Sequence, residues 1–309
     1  MVDEEIKMQK YMVYDIGGTS IKWSIITENG DILISNIIKT PDNVEEFFNI
    51  LASNVNINKE KYDLKGIAIS APGAVDVEKG IINGASAIPY IHGPNFKEIL
   101  YEKTKLCTEI ENDANCAALG ESWIGSAKDV SDAIFIVCGS GIGGAIIKDK
   151  RIHSGANKHG GEFGYCIVDF DSESKSKYAY WSKMGSTVVL ARNIAKRKEI
   201  SESDMDGLKA FKLFDEGDEI AKEEVDKYYT YMAIGIYNMQ YIYDPEVVVL
   251  GGAISEREGY IEAINEKLND IMSNNRLGKV RPKLRKCMYG NNANKLGALY
   301  NFLQRQDKI

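Results

Sequence analysis

Three times along this chain a short apolar run suited to a β-strand ends directly in glycines: Tyr11–Asp15 before Gly17-Gly18, Ala133–Cys138 before Gly139-Ser140-Gly141-Ile142-Gly143-Gly144, and Val247–Leu250 before Gly251-Gly252. Without a Cβ, a glycine lets its backbone N–H come close to a bound anion, although one such turn alone is an ordinary hairpin feature. Repetition changes the reading: three strand ends in glycine point to an α/β fold holding one nucleotide. Gly139, Gly141 and Gly144 fit the dinucleotide pattern G-x-G-x-x-G, but Ala145–Lys150 reads as a second hairpin strand where that pattern requires a helix. A Gly-Lys-Ser or Gly-Lys-Thr ending is also missing, which sets aside the P-loop class.

Chemistry concentrates at two strand ends. Asp15-Ile16-Gly17-Gly18-Thr19-Ser20 adds hydroxyl donors and a carboxylate to the first turn. A carboxylate beside phosphate oxygens is repulsive unless a cation lies between them, so Asp15 implies Mg²⁺, reached directly or through water. Further on, Glu109-Ile110-Glu111-Asn112-Asp113 reads as a strand ending in a polar cluster, with small helix-forming residues after it. Asp113 then lies at or near a helix N-terminus, either as a plain N-cap or as a base accepting the proton of an attacking sugar hydroxyl, with Asn112 holding a neighbouring hydroxyl.

On these residues the chain resembles the ROK family (repressors, open reading frames, kinases), and the resemblance covers nearly its whole length. Asp15-Ile16-Gly17-Gly18-Thr19 is similar to the family's first phosphate motif, Gly139–Gly144 to its second, and Gly251-Gly252 to the turn near the adenosine. Ser70-Ala71-Pro72-Gly73 resembles the turn bordering the sugar pocket, Glu111–Asn115 the segment with the catalytic aspartate, and Gly161-Glu162-Phe163-Gly164 the segment with a sugar-binding glutamate. The resemblance implies a two-lobed actin-like, ribonuclease-H-like ATPase fold with ligands between the lobes, and an ATP- and Mg²⁺-dependent sugar kinase. In it Asp113 is the base, and Asn112, Glu162 and Gly73 serve the sugar. Gly17, Gly18, Thr19, Lys22, Ser140, Gly141, Gly143, Gly251 and Gly252 serve the nucleotide. His92, in Pro89–Gly93, lies where the family's loop approaches the sugar or its aglycone.

One departure stands out. Most family members hold a structural zinc with a histidine after the glutamate motif and three closely spaced cysteines. Here the histidine position is Tyr165, and Asp171–Ser182 contains no cysteine. Cys166 and His159 cannot close a four-ligand site by themselves, so zinc is not expected. Tyr165, with Ser182, then meets the sugar where those family residues would. This pattern resembles β-glucoside kinases and glucokinase-like members: a hexose or β-glucoside acceptor phosphorylated at its 6-hydroxyl, with N-acetylmannosamine as the rival.

Composition agrees with such an enzyme. The 309 residues are 44% hydrophobic and 27% charged, enough for more than one core, and no run approaches the roughly 20 apolar residues of a membrane span. A net charge of −7 with scattered lysines argues against broad nucleic-acid contact. An acidic start without an apolar segment, and five cysteines without a C-x-x-C pair, lead to an expected cytoplasmic location with reduced thiols, four of them as small core residues. Tyr11–Asp15, Ile21–Thr27 and Asp31–Ile38 read as a meander, Asn43–Asn54 as a helix, and Leu64–Ser70 and Cys107–Glu111 as buried parallel strands. The plan repeats from Asp132. Residues 1–120 with the helical stretch 291–309 are expected to form a small N-terminal lobe and 121–290 the larger one. The tyrosine-rich helix Glu219–Tyr243 suits core packing or a homodimer. A sugar-sensing regulator of the same family is the alternative of another class; its added helix-turn-helix domain does not fit into the fourteen residues before Asp15.

Overall fold

A computed structural model describes residues 8–84, 86–170, 177–275 and 277–309, with the side chain of residue 291 left aside. Of the zinc-position loop considered above, residues 171–176 lie outside the described residues. The chain divides into two compact units, one running to Gly125 and completed by Asn291–Ile309, the other spanning Ser126–Gly290.

In the first unit, β1 (Lys10–Ile16), β2 (Ser20–Thr27) and β3 (Ile32–Lys39) form an antiparallel meander, followed by α1 (Val44–Tyr62) and β4 (Leu64–Ala71). A small hairpin of β5 (Ala74–Asp76) and β6 (Ile81–Asn83) precedes α2 (Phe96–Thr104), β7 (Thr108–Asn112) and α3 (Asp113–Trp123). The sheet order is β3-β2-β1-β4-β7, with β4 and β7 added in parallel. Strand alternation sorts the side chains of β1 to two faces. Met12 and Tyr14 join the core with Phe47, Leu51 and Phe96, and the Tyr14 hydroxyl donates to the Leu51 carbonyl at 2.9 Å. Tyr11 faces the C-terminal helix instead, its ring 5.2 Å from that of Phe302. The first helix outruns its expected end at Asn54. Asn56 and Ile57 are poor helix formers, but Val55 is buried, Asn56 donates to the Lys103 carbonyl, and Lys59 donates to that of Thr104 at 2.8 Å. These contacts with α2 outweigh propensity.

The second unit repeats the plan. β8 (Ala133–Cys138), β9 (Ile142–Lys148) and β10 (Arg151–Ile152) form the meander, and β11 (Ile167–Phe170) pairs with β12 (Tyr178–Tyr180) apart from it. Then follow α4 (Trp181–Met184), α5 (Thr187–Arg197), α6 (Gly207–Asp215), α7 (Glu219–Tyr243), β13 (Val247–Gly251), α8 (Tyr260–Asn274) and β14 (Leu284–Lys286). The order β10-β9-β8-β13-β14 has the same senses as the first sheet. Tyr228 and Tyr229 of α7 are buried in the core, and the Tyr228 hydroxyl meets that of Tyr260 at 2.9 Å. The last helix, α9 (Ala293–Arg305), belongs to the first unit and packs on α3 and β4.

The cysteines correct one expectation. Only Cys116 and Cys138 are buried, while Cys107 is exposed and Cys166 and Cys287 are intermediate. Cys107 stands just before β7, outside the continuous buried run Thr108–Glu111. No helix among the described residues is long and apolar enough to cross a membrane.

Candidate active site

In the first unit the strand ends bring four polar side chains into one row. Lys22 of β2 pairs with Asp15 of β1, Asp15 with Ser70 of β4, and Ser70 with Glu111 of β7. Directly paired residues share a face, and this face carries α3 and α9. Asp15 Oδ1 accepts from Ser70 Oγ at 3.0 Å and from Asn294 Nδ2 of α9 at 3.1 Å. Beside it the first glycine turn is closed by Gly17 N–H donating to the Ser20 carbonyl at 3.0 Å, and Thr40 Oγ1 donates to the Gly17 carbonyl at 2.6 Å. Gly18 and Thr19 are exposed.

Asp113 is the first residue of α3, but it is not the N-cap that was one of its two readings. Asn112 caps the helix, its Oδ1 accepting from the N–H groups of Ala114 and Asn115 at 2.9 and 3.2 Å. Its Nδ2 donates to the Gly73 carbonyl at 3.0 Å, tying the start of α3 to the turn after β4. With the cap supplied by its neighbour, the Asp113 carboxylate accepts from Ala114 N–H at 2.8 Å. Burial chiefly, and the charge of Asp15 in addition, push its proton affinity above that of an ordinary aspartate against the lowering effect of the backbone hydrogen bonds.

Gly73 also borders His92: a Cβ at Gly73 would lie 3.5 Å from His92 Cε1. His92 Nε2 meets Ser86 Oγ at 2.7 Å, while Nδ1 is buried without a hydrogen-bond partner among the described residues. Asn112, Gly73 and His92 are therefore contiguous, and an orphaned ring nitrogen there suits a ligand hydroxyl.

The second unit gathers the remaining candidates. Gly143 pairs with Val137 across β9 and β8, and Val137 pairs with Gly251 across β8 and β13, so two glycine runs lie one strand apart. Gly252 follows β13, and its carbonyl accepts from the Ser255 hydroxyl at 2.8 Å. In the β8–β9 turn, Gly139 N–H donates to the Gly141 carbonyl at 3.0 Å and Ser140 is exposed. The Glu162 segment packs on this hairpin. A Cβ at Gly164 would come within 2.3 Å of the Ile142 carbonyl oxygen, an approach that only glycine permits. Glu162 and Tyr165 are exposed, Tyr165 by 72%. Ser182 differs from its expected role, because its hydroxyl both accepts from Ile142 N–H at 2.8 Å and meets the Ile142 carbonyl at 3.2 Å. It pins the hairpin and is already occupied. Among the described residues no three His, Cys, Asp or Glu side chains are grouped to hold a metal; His159 is exposed, with Nδ1 against the Asn157 carbonyl.

A model of the ROK family matches residues 11–305. The chain belongs to the ROK family. A ROK family protein from Streptococcus pneumoniae TIGR4, solved in complex with sucrose, matches it with a TM-score of 0.88 at 35% identity, covering 97% of this chain and 100% of that one. The β-glucoside kinase of Listeria monocytogenes is 30% identical over 97% of this chain and 99% of its own length. The ROK hexokinase of Thermus thermophilus matches with a TM-score of 0.83 at 28% identity, over 97% and 100% of the two chains. The sheet plan that both units share is thus the actin-like ATPase fold of ROK proteins. Three polar residues of this ROK chain went unnoticed in the sequence as site-builders: Ser70 as a donor to Asp15, and Asn294 and Lys295 of α9. Only the pairing of β1 with β4 and the return of α9 reveal them.

Proposed function

We propose that this chain transfers the γ-phosphoryl group of ATP to the 6-hydroxyl of a hexose or β-glucoside, as a cytoplasmic homodimer. The chain is a carbohydrate kinase by its family and by what its relatives are named for. Asp113 carries the reading. A half-buried carboxylate at the start of α3, with raised proton affinity, is suited to take the proton of an attacking hydroxyl. Asn112, Gly73 and His92 would orient the acceptor beside it, and Glu162 and Tyr165 are read by the family resemblance as sugar-binding residues. Gly17, Gly18, Thr19 and Lys22 would hold phosphates, and the adjacent runs containing Ser140, Gly141, Gly143, Gly251 and Gly252 the rest of the nucleotide.

Asp15 fits Mg²⁺. One of its oxygens is held by two donors, and Mg²⁺ in kinase sites is bound by one or two carboxylates plus substrate phosphates, so a protein cage of three ligands is not required. Bound there, the ion would offset phosphate charge as it redistributes. The test is ADP release with Mg-ATP against glucose, mannose, fructose, N-acetylmannosamine, N-acetylglucosamine, cellobiose and gentiobiose, with Asp113→Asn as the blank. Turnover on glucose or a β-glucoside, lost in the variant, is expected. Turnover on N-acetylmannosamine alone would replace the acceptor, and no turnover on any sugar would defeat the reading.

A further inference from the structure

The return of α9 to the first unit places two polar residues where the sequence suggests none. Asn294 lies in its first turn, and the helix has no side-chain cap of its own. Asparagine at a helix start ordinarily serves the helix's own N–H groups. Here Nδ2 instead donates to Asp15 Oδ1, 279 positions away, at 3.1 Å. The next residue holds the turn down from the other side: Lys295 is 5% exposed, and its Nζ donates at 2.8 Å to Ser24 Oγ, which meets Ser35 Oγ at 2.8 Å. Ser24 is two residues along β2 from Lys22, on the same face, and Lys22 pairs with Asp15. A buried ammonium needs a partner and a nearby negative charge. Asp15 supplies that charge, raising the lysine's proton affinity against the larger lowering effect of burial. The first turn of α9 is therefore tied to β1 through Asn294 and to β2 through Lys295.

We infer that Asn294, with Ser70, is a positioning residue for Asp15: the two donors converge on Oδ1 and leave Oδ2, which has no protein partner among the described residues, as the oxygen available to the nucleotide's cation. This rests on the reading of Asp15 as the carboxylate that meets Mg-ATP. Carboxylates that ligate metals are themselves held by hydrogen bonds, and losing such an outer partner weakens metal affinity or activity by about 10- to 100-fold.

The experiment measures binding of the non-hydrolysable analogue AMPPNP to the full chain by titration calorimetry, with excess Mg²⁺ and with excess EDTA. Asn294→Leu keeps the approximate side-chain shape and removes the donor. Its affinity is expected to fall about 10- to 100-fold with Mg²⁺ and to stay within about twofold of wild type in EDTA, with cooperative melting retained. Asn294→Ser, which keeps a hydroxyl donor, should show a smaller loss confined to Mg²⁺, and it answers the question if the leucine variant does not fold. An unchanged Mg²⁺-dependent affinity in the folded variant, or an equal loss in both conditions, overturns the inference. Asp15→Asn separates the two levels. If it too retains full Mg²⁺ dependence, the reading of Asp15 fails and this inference with it; if it loses that dependence while Asn294→Leu keeps it, only the role of Asn294 falls.

Discussion

Asp113→Asn is expected to lower turnover by about 10²- to 10⁴-fold, the usual contribution of a positioned general base, while changing sugar affinity little. The carboxamide keeps an acceptor for Ala114 N–H, so the start of α3 is undisturbed and the loss reports proton transfer. In the wild type, activity should fall on acidification with a limb above the ordinary aspartate range, because burial and the charge of Asp15 raise this group's proton affinity. Stability moves the other way. Folding raises this pKa, so the folded chain holds the proton more tightly than the unfolded one. The stabilisation this provides is complete below the unfolded value and is lost as pH rises through the folded value. At neutral pH the ionised carboxylate therefore opposes folding, and Asp113→Asn should melt higher than wild type, the difference shrinking in acid. An inactive variant that melts lower at neutral pH would contradict this account, and wild-type turnover would remove Asp113 from the base role.

The largest stability effect is expected at Gly297→Ala. Helices α3 and α9 cross at Gly120 and Gly297, and a Cβ at Gly297 would lie 1.6 Å from the Cys116 carbonyl oxygen and 2.8 Å from Gly120 N. These are backbone atoms, so no side-chain rotation relieves the clash and the helices must separate. Overpacking of this kind costs about 3 kcal/mol, which in a chain of 309 residues lowers the melting temperature by about 5 °C. Activity should fall with it, because α3 begins with Asp113 and the first turn of α9 holds Asn294 against Asp15. Thermal melting checks the prediction: a variant melting within about one degree of wild type would mean that the helices slide apart at little cost.

Much of the architecture was legible in local pattern. Apolar runs located β1 and β2 to within about one residue, because strands buried on both faces read as near-continuous apolar stretches. The helix Glu219–Tyr243 was legible end to end, bounded by its capping Asp218 and by Asp244 in the left-handed conformation. The length of α1 was not, since contacts with α2 extend it through residues of weak propensity. At the site, the motif Glu111-Asn112-Asp113 was visible, but the division of labour within it was not: whether Asn112 or Asp113 caps α3 depends on backbone angles set by where β7 ends.

The chain's sequence alone determined the glycine turns, the carboxylates at the strand ends and the repeated α/β plan, because these depend on residue type and on periodicities of a few residues. Only the tertiary structure decided that Lys22, Asp15, Ser70 and Glu111 form one row, that Gly143 and Gly251 flank Val137, and that a helix from the far end of the chain brings Asn294 to Asp15. Register and helix return depend on burying apolar faces between segments distant in sequence. A one-residue slip in strand register would turn the row of polar groups to the opposite face of the sheet.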